Sequence, residues 1–328
     1  MKLATLERVN LVEPHPNADK LEFVQVLGYK CIVSKDSFKV GDSVIFIQPD
    51  TVLPDAEWAE PFKKYAKTRV KAVKLRGLYS MGLVIDPKKL PIDYSTTNYY
   101  GKEYGDILKV SKYLTKEPND LKAKGALPFG IFKTDEERYQ NIIELLPFGK
   151  PVDVTLKIDG SSITFYCKKI ENEWQLGITS RTMDLKLDAN NNYTNIDLKY
   201  NVLDKLKKFC QDNNVSLALR GEVYGNRIQN KGVNPHQDLA LNVAFYSVLN
   251  LDTLLYENVG NFSYKEICNS LHLPTVPLLE NNVILTPELI YKYDTELSLI
   301  NGKPFEGVVM KHDNGSFKVI NKNYDEKN

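Results

Sequence analysis

The run from Val152 to Ser162 (VDVTLKIDGSS) limits what this chain can become more than any other stretch. Val152, Val154 and Leu156 alternate as the inner face of a strand, which delivers Lys157 to the turn-forming pair Asp159-Gly160. A lysine at the end of a buried strand is costly to desolvate without a task. Burial also lowers an amine's pKa, as nearby cations do, and a neutral amine is a nucleophile. Gly160, with no Cβ, lets the backbone approach a phosphate closely. By itself Lys-x-Asp-Gly is most often a solvated hairpin end, so its meaning depends on the segments C-terminal to it.

Those segments are a series of strands that each carry one or two chemically useful side chains. Ile163–Lys168 and Trp174–Ser180 read as paired strands ending at Ser180-Arg181. Residues 196–213 have helical periodicity, with Leu198, Val202, Leu206 and Phe209 on one face. Leu217–Gly225 brings Arg220 and Glu222 to a glycine-flanked turn, and 239–251 reads as a long buried strand holding Phe245 and Tyr246. A helix is expected over Tyr264–Leu271. The last segments are Glu306-Gly-Val-Val-Met-Lys311 and Ser316-Phe-Lys318-Val-Ile-Asn-Lys322. Taken singly, Glu222 reads as a surface carboxylate and Phe245 as core. Together the set offers one amine, two strand-borne carboxylates that can hold a ribose hydroxyl or a hydrated divalent metal, and the cations Arg181, Lys311 and Lys318 for phosphates. A purine can stack on Phe245 or Tyr246, and on a strand these two point to opposite faces.

The chain before this region is of another kind. Residues 1–110 read as short strands broken by Gly/Pro turns (21–26, 31–33, 42–48, 69–75, 81–85), the pattern of a small barrel. Phe62–Gly77 holds Lys63, Lys64, Lys67, Arg69, Lys71, Lys74 and Arg76 with no acid. The usual reading of such a run is a solvated face. On a barrel and interleaved with Phe62 and Tyr65, it reads as a nucleic-acid backbone contact by Lys63, Lys64, Arg69, Lys71, Lys74 and Arg76. Residues 94–125 are polar and read as a loosely packed connection. Thr134 is an expected N-cap for a helix ending before Pro147, and that helix carries Arg138 as a phosphate-contact candidate.

Composition removes several alternatives. In 328 residues, 43 Lys+Arg against 42 Asp+Glu leave a net charge of +1, so nucleic-acid affinity has to come from local patches. Cys31, Cys167, Cys210 and Cys268 are scattered, without Cys-x-x-Cys spacing, and read as buried thiols in a reducing, cytoplasmic or other intracellular compartment. No signal-peptide core or membrane-length apolar run is present, which sets the expectation of no membrane attachment; a monomer is expected as well.

The order KxDG, SR, RGExxG, FYSV, EGVVMK, FKVIN resembles the covalent nucleotidyltransferase superfamily of ATP-dependent DNA ligases, RNA ligases and capping enzymes, over residues 134–322. The resemblance implies an α+β fold: an N-terminal OB-type β-barrel (1–110; Pro14–Glu22 is similar to the start of barrels in tRNA-binding modules), a linker (111–130), and an antiparallel-sheet nucleotidyltransferase (ligase adenylation) domain (131–328). It implies that Lys157 attacks the α-phosphorus of ATP with Mg2+ or Mn2+ present, that AMP passes to an RNA 5′-phosphate, and that a 3′-OH then displaces it. Catalytic roles fall on Lys157, Asp159, Glu306 and Lys318. Glu306, through waters, and Asp159 serve the metal. Thr155, Leu156, Gly160, Arg138, Arg181, Glu222, Phe245 or Tyr246, Lys311, Lys318 and Lys322 line the nucleotide.

Only 323–328 come after Lys322, leaving no room for the C-terminal OB or helical domains of DNA ligases, capping enzymes and RNA ligase 2 types. With the barrel in front, the chain resembles the RNA ligase 5 family, sealers of nicked duplex RNA, a likeness shared by Lys74–Gly82 and 134–138. The alternatives are a DNA ligase, a capping-type guanylyltransferase, or a silent RNA-binding module. One departure stands out. Many relatives carry Lys-x-Lys in the last motif, whereas Lys318 here is followed at that spacing by Ile320, so either Lys322 supplies the second charge or one cation is missing.

Overall fold

The computed structural model describes residues 2–94, 99–113, 122–133, 136–226, 228, 232–256, 262–296 and 298–327. They form two compact units. The first comprises 1–116, 137–147 and 325–328, and the second 117–136 and 148–324.

The first unit is an OB-type barrel built around one long strand, Ala4–Pro14. Its first half pairs antiparallel with Ser43–Ile47 and its second half, from Val9 on, with Leu21–Val26, with a bulge between Val9 and Leu11 just after the change of partner. The bulge sharpens the twist and so lets one strand serve both sides of a curled sheet. Tyr29–Ser34 and Leu83–Ile85 are the two outer strands. Between them the sheet nearly closes, because Met81 N donates to Lys30 O and Ile32 N to Ser80 Oγ.

Ser43–Ile47 is buried on both faces, which accounts for its unbroken apolar run. Ile45 and Ile47 join a cluster with Ala4, Leu6, Tyr104 and Leu108, and Val44 and Phe46 join another with Val9, Val24 and Tyr29. Residues 104–110 therefore belong to the barrel core, not to a loose connection. The expectation of looseness rests on their polar neighbours, whereas Tyr104 and Leu108 are both buried.

The second unit contains two antiparallel sheets. In one, Ala123–Ala126, Met183–Leu185, Glu173–Thr179, Ser161–Ile170, Leu217–Tyr224, Asn242–Asn250 and Leu255–Tyr256 lie side by side in that order. The hairpin expected after Ser162 is present, with Phe165 opposite Ile178 and Lys169 opposite Trp174. In the other sheet Leu278–Ile284, Pro151–Lys157, Gly307–His312 and Gly315–Ile320 are neighbours.

The chain passes from one sheet to the other at Ile158-Asp159-Gly160. Gly160 is required there by packing: a Cβ would lie 2.3 Å from Val223 O and 2.8 Å from Glu222 Cγ. That close approach to the Glu222 strand is the physical reason for the glycine. It differs from the phosphate clearance expected from sequence.

Three helical expectations meet different outcomes. Tyr264–Leu271 forms as expected behind its Ser263 N-cap. The single helix over 196–213 is two, Asn192–Tyr200 and Val202–Asn213, because Asn201 takes a left-handed conformation (φ 51°) that ends the first. The helix after Thr134 is a 3-10 segment, Tyr139–Leu145, broken by non-helical Ile142. Thr134 itself lies outside the described residues. Among those residues no helix is long and apolar enough to cross a membrane.

Candidate active site

Strand register builds the site. Lys157 stands opposite Gly307, which places Glu306 at the same strand end, and Lys157 Nζ lies 2.6 Å from Glu306 Oε1. Ser162 pairs with Glu222, bringing the second carboxylate in from the other sheet. Asp159 sits at the crossover between them. One amine thus meets three carboxylates. Burial pulls the Lys157 ammonium down, but Glu306, Glu222 and Asp159 together more than offset it and the net shift is upward. The net rise is the opposite of the lowering that burial and nearby cations suggest from sequence. The excess acid shows at Glu222, whose carboxyl is pushed up to about 8 by burial and by Glu306 and Asp159, against the pull of Lys157 and Arg181.

The geometry also tests whether the residues suit a divalent cation. Glu306 Oε2 is buried with no hydrogen-bond partner, and the cluster carries more carboxylates than cations. Among the described residues no three His, Cys, Asp or Glu converge closely enough to ligate a metal directly. An orphaned carboxylate oxygen in an acid-rich cluster fits a hydrated ion held through its waters.

The remaining candidates sort by position. Thr155, Val309 and Lys318 lie in one row across three strands, so Lys318 shares the face of Lys157. In the next row Lys157, Gly307 and Ile320 align, and Ile320 is buried where many relatives carry a second lysine. The Lys322 ammonium is bonded to the buried Asp294 carboxylate. Leu156 is anchored by its N–H to Pro277 O, and Thr155 Oγ1 donates to Val309 O. Arg181 is partly exposed and acts on Glu222 electrostatically.

Lys311 is opposite Asp153, four residues from Lys157 along the strand, roughly 13 Å at about 3.3 Å per residue. Its ammonium donates to Tyr246 O and lies 4.2 Å over the Tyr264 ring, and burial lowers it to about 8.

Tyr246 is the extra residue of a bulge, between Phe245 opposite Gly221 and Ser247 opposite Arg220. Phe245 is fully buried and packs edge-on against Phe165 at 5.9 Å. Tyr246 is half-buried on the Glu222 side, within hydrogen-bonding reach of Ser162, and burial with Glu222 raises its phenol pKa.

In the first unit, Arg138 donates to Asp50 at 2.8 Å, as does Arg69 at 2.9 Å, with Asp325 3.6–3.7 Å from both. The basic run thus divides. Arg69 is only 4% exposed, Lys63 is held by Asp55 and Glu60, and Lys71 donates to Glu326 O. Lys64, Lys67, Lys74 and Arg76 are exposed.

Four more residues join the site; Asn321 lies in the FKVIN segment with no role read from it, and the other three carry no sequence signal. Asn234 is buried and donates to Asp159 O at 3.1 Å. His236 feels Glu306 while burial lowers its pKa. Asn321 donates its N–H to Glu306 O at 2.9 Å. Tyr324 donates its phenol to Asp159. Asn234, His236 and Tyr324 have no distinctive spacing and are brought in by tertiary contact.

A barrel followed by a two-sheet domain with a lysine among carboxylates at the crossover is a nucleotidyltransferase architecture. Residues 3–87 match an OB-fold domain and residues 150–323 match the RNA ligase family. The chain belongs to the RNA ligase family. Among solved structures, a mutant of Naegleria gruberi RNA ligase with AMP and Mn is similar at TM-score 0.86 and 26% identity, covering 100% of this chain and 99% of that one. Another mutant with ATP and Mn gives TM-score 0.84 and 27% identity, covering 99% and 97%. The same enzyme with PPi gives TM-score 0.85 and 27%, covering 100% and 98%. A comparison with curated proteins finds no match.

Proposed function

We propose that this chain is an ATP-dependent RNA ligase that joins 3′-OH and 5′-phosphate ends at nicks in duplex RNA, acting as an intracellular monomer. The observation that carries this is the amine of Lys157 2.6 Å from Glu306, within reach of Glu222 and Asp159. The similar Naegleria structures with ATP, AMP, PPi and Mn support it. In the proposed reaction Lys157, once deprotonated, forms an N–P bond to the α-phosphorus of ATP while the bond to the β-phosphate oxygen breaks and pyrophosphate leaves. An RNA 5′-phosphate oxygen then takes AMP from the lysine. A 3′-OH finally attacks that phosphate and expels AMP. A divalent cation held by Glu306 through water would offset charge on the triphosphate. Lys318 and Arg181 are assigned to phosphates and Glu222 to the ribose. We divide the chain into a barrel (1–110), a linker (111–130) and a catalytic domain (131–328).

The bulged Tyr246, not Phe245, is assigned to stack on the adenine. Tyr246→Ala should weaken ATP binding about 10- to 100-fold, the scale of a lost base–aromatic stack, with little change in thermal midpoint. Phe245→Ala should instead cost about 3–5 kcal/mol of stability, as large core truncations do. Equilibrium ATP binding and thermal melts of both variants decide this. Tight binding by Tyr246→Ala would refute the assignment.

For RNA, the barrel is assigned the grip. A variant with Lys64, Lys67, Lys74 and Arg76 changed to Ala should adenylate Lys157 at nearly the wild-type rate. Its sealing of a nicked RNA duplex should fall by about 10-fold or more, with a shallower salt dependence, since each phosphate contact contributes roughly 0.7–0.9 to the log–log slope. Arg69 and Lys63 are left unchanged because their charges are already paired. Equal losses in both steps would exclude an RNA contact by this face. Failure of the wild type to seal any nicked RNA would exclude the ligase reading.

A further inference from the structure

On the proposed function above, we infer that Tyr324 is a positioning residue for the reaction, holding the Asp159 carboxylate in the Lys157 cluster. The phenol of Tyr324 donates to Asp159 Oδ2, and the tyrosine is only 2% exposed. Its backbone is fixed from the site side as well. Asn321, fully buried, donates its side-chain amide to Tyr293 O and Glu296 O, both at 2.9 Å, and its own N–H to Glu306 O. Tyr324 N then donates to Asn321 O at 3.1 Å. The residue that fixes Tyr324 is thus bonded to the backbone of the carboxylate that clamps Lys157.

Asp159 is held from its other end by Asn234, whose amide donates to its carbonyl. Between these restraints lies the Ile158–Gly160 crossover, which joins the Lys157 strand to the Ser161–Ile170 strand. A phenol suits this task for a chemical reason. It gives a charge-assisted hydrogen bond that fixes direction, yet, unlike a lysine, it leaves the carboxylate's negative charge uncancelled for the amine or a cation. That charge reaches Lys157, since Asp159 is one of the three acids that raise it.

A buried tyrosine hydroxyl needs an acceptor for its own sake, so stability loss alone decides nothing. The discriminating experiment compares wild type, Tyr324→Phe, Asp159→Asn and the double variant. Single-turnover lysyl-AMP formation is followed over an ATP series. ATP–Mn2+ binding is measured by calorimetry in a Lys157→Ala background, where no chemistry occurs. Tyr324→Phe should lower the maximal rate about 10-fold, as loss of an outer partner of a site residue does. Half-saturating ATP and the calorimetric affinity should change less than about 2-fold, which places the loss after binding.

The double variant should be no slower than Asp159→Asn alone, because the phenol acts through that carboxylate. A wild-type rate in Tyr324→Phe, or slowing that multiplies with that of Asp159→Asn, overturns the inference. Should Tyr324→Phe fail to fold, Asn234→Ser, which releases Asp159 from the backbone side, enters the same cycle. Multiplicative slowing there overturns it equally. Absence of Lys157 labelling in the wild type overturns the proposed function itself, and the two failures are thereby told apart.

Discussion

Lys157→Ala is expected to abolish covalent transfer of label from ATP carrying a labelled α-phosphate, by at least about 10^4-fold, the scale on which loss of a covalent nucleophile is felt. The protein is mixed with labelled ATP and Mg2+ or Mn2+ and denatured in detergent at neutral or alkaline pH, because a P–N bond hydrolyses in acid, and the retained label is counted and mapped. A phosphoramidate at Lys157 should account for all of it, and GTP should be a poor donor. Lys157→Arg is the sharper variant. It keeps a cation beside Glu306, so the ion pair and the fold survive, but a guanidinium does not give up its proton near neutral pH. Label on either variant, or equal labelling of the wild type by GTP, would remove the lysine or the ATP assignment.

The nucleophile is legible because local pattern specifies it. Alternation at Val152, Val154 and Leu156 fixes a strand, and the Asp159-Gly160 turn fixes where it ends. The Ser161–Ile170 hairpin and the Tyr264–Leu271 helix are readable for the same reason. The acids around Lys157 can be named from the sequence, but their effect on it cannot. Glu306 lies 149 residues away in sequence, and only pairing of Lys157 with Gly307 brings it to 2.6 Å. Sequence alone suggests a lowered amine, and the register brings carboxylates close enough to raise it instead.

The strand Leu278–Ile284 carries no readable signal because both its faces are largely exposed and Asn282 breaks it with φ 53°, leaving no alternation. The helix Pro287–Thr295 has a readable start, Thr286 capping ahead of Pro287. In the basic run every cation looks alike. What separates Arg69 from Lys64 is Asp50, whose nearness is a property of the barrel and not of the run.

Glu306→Ala sets two effects of opposite sign against each other, which makes its outcome informative. Removing a carboxylate 2.6 Å from Lys157 takes away one of the acids that raise the amine. By that effect alone the variant would hold more neutral lysine and adenylate faster. Against it stands the loss of the buried Oε2, the oxygen available to a hydrated cation. Without that cation the triphosphate keeps its charge and repels the Glu222 and Asp159 carboxylates, and the leaving pyrophosphate is unshielded.

Electrostatic stabilisation of developing charge in a partly buried site is typically worth about 10^2- to 10^3-fold for a single group. The gain from a freer amine cannot match that if the cation is bound here. Glu306→Ala should therefore lose at least about 10^2-fold in lysine adenylation, and chelation of divalent metal should silence the wild type to the same floor. The two treatments should not compound: chelator should slow Glu306→Ala little further. Faster adenylation by Glu306→Ala would mean that the carboxylate only restrains the lysine and that the metal is held elsewhere. An undiminished response of the variant to chelator would place the metal on other groups as well.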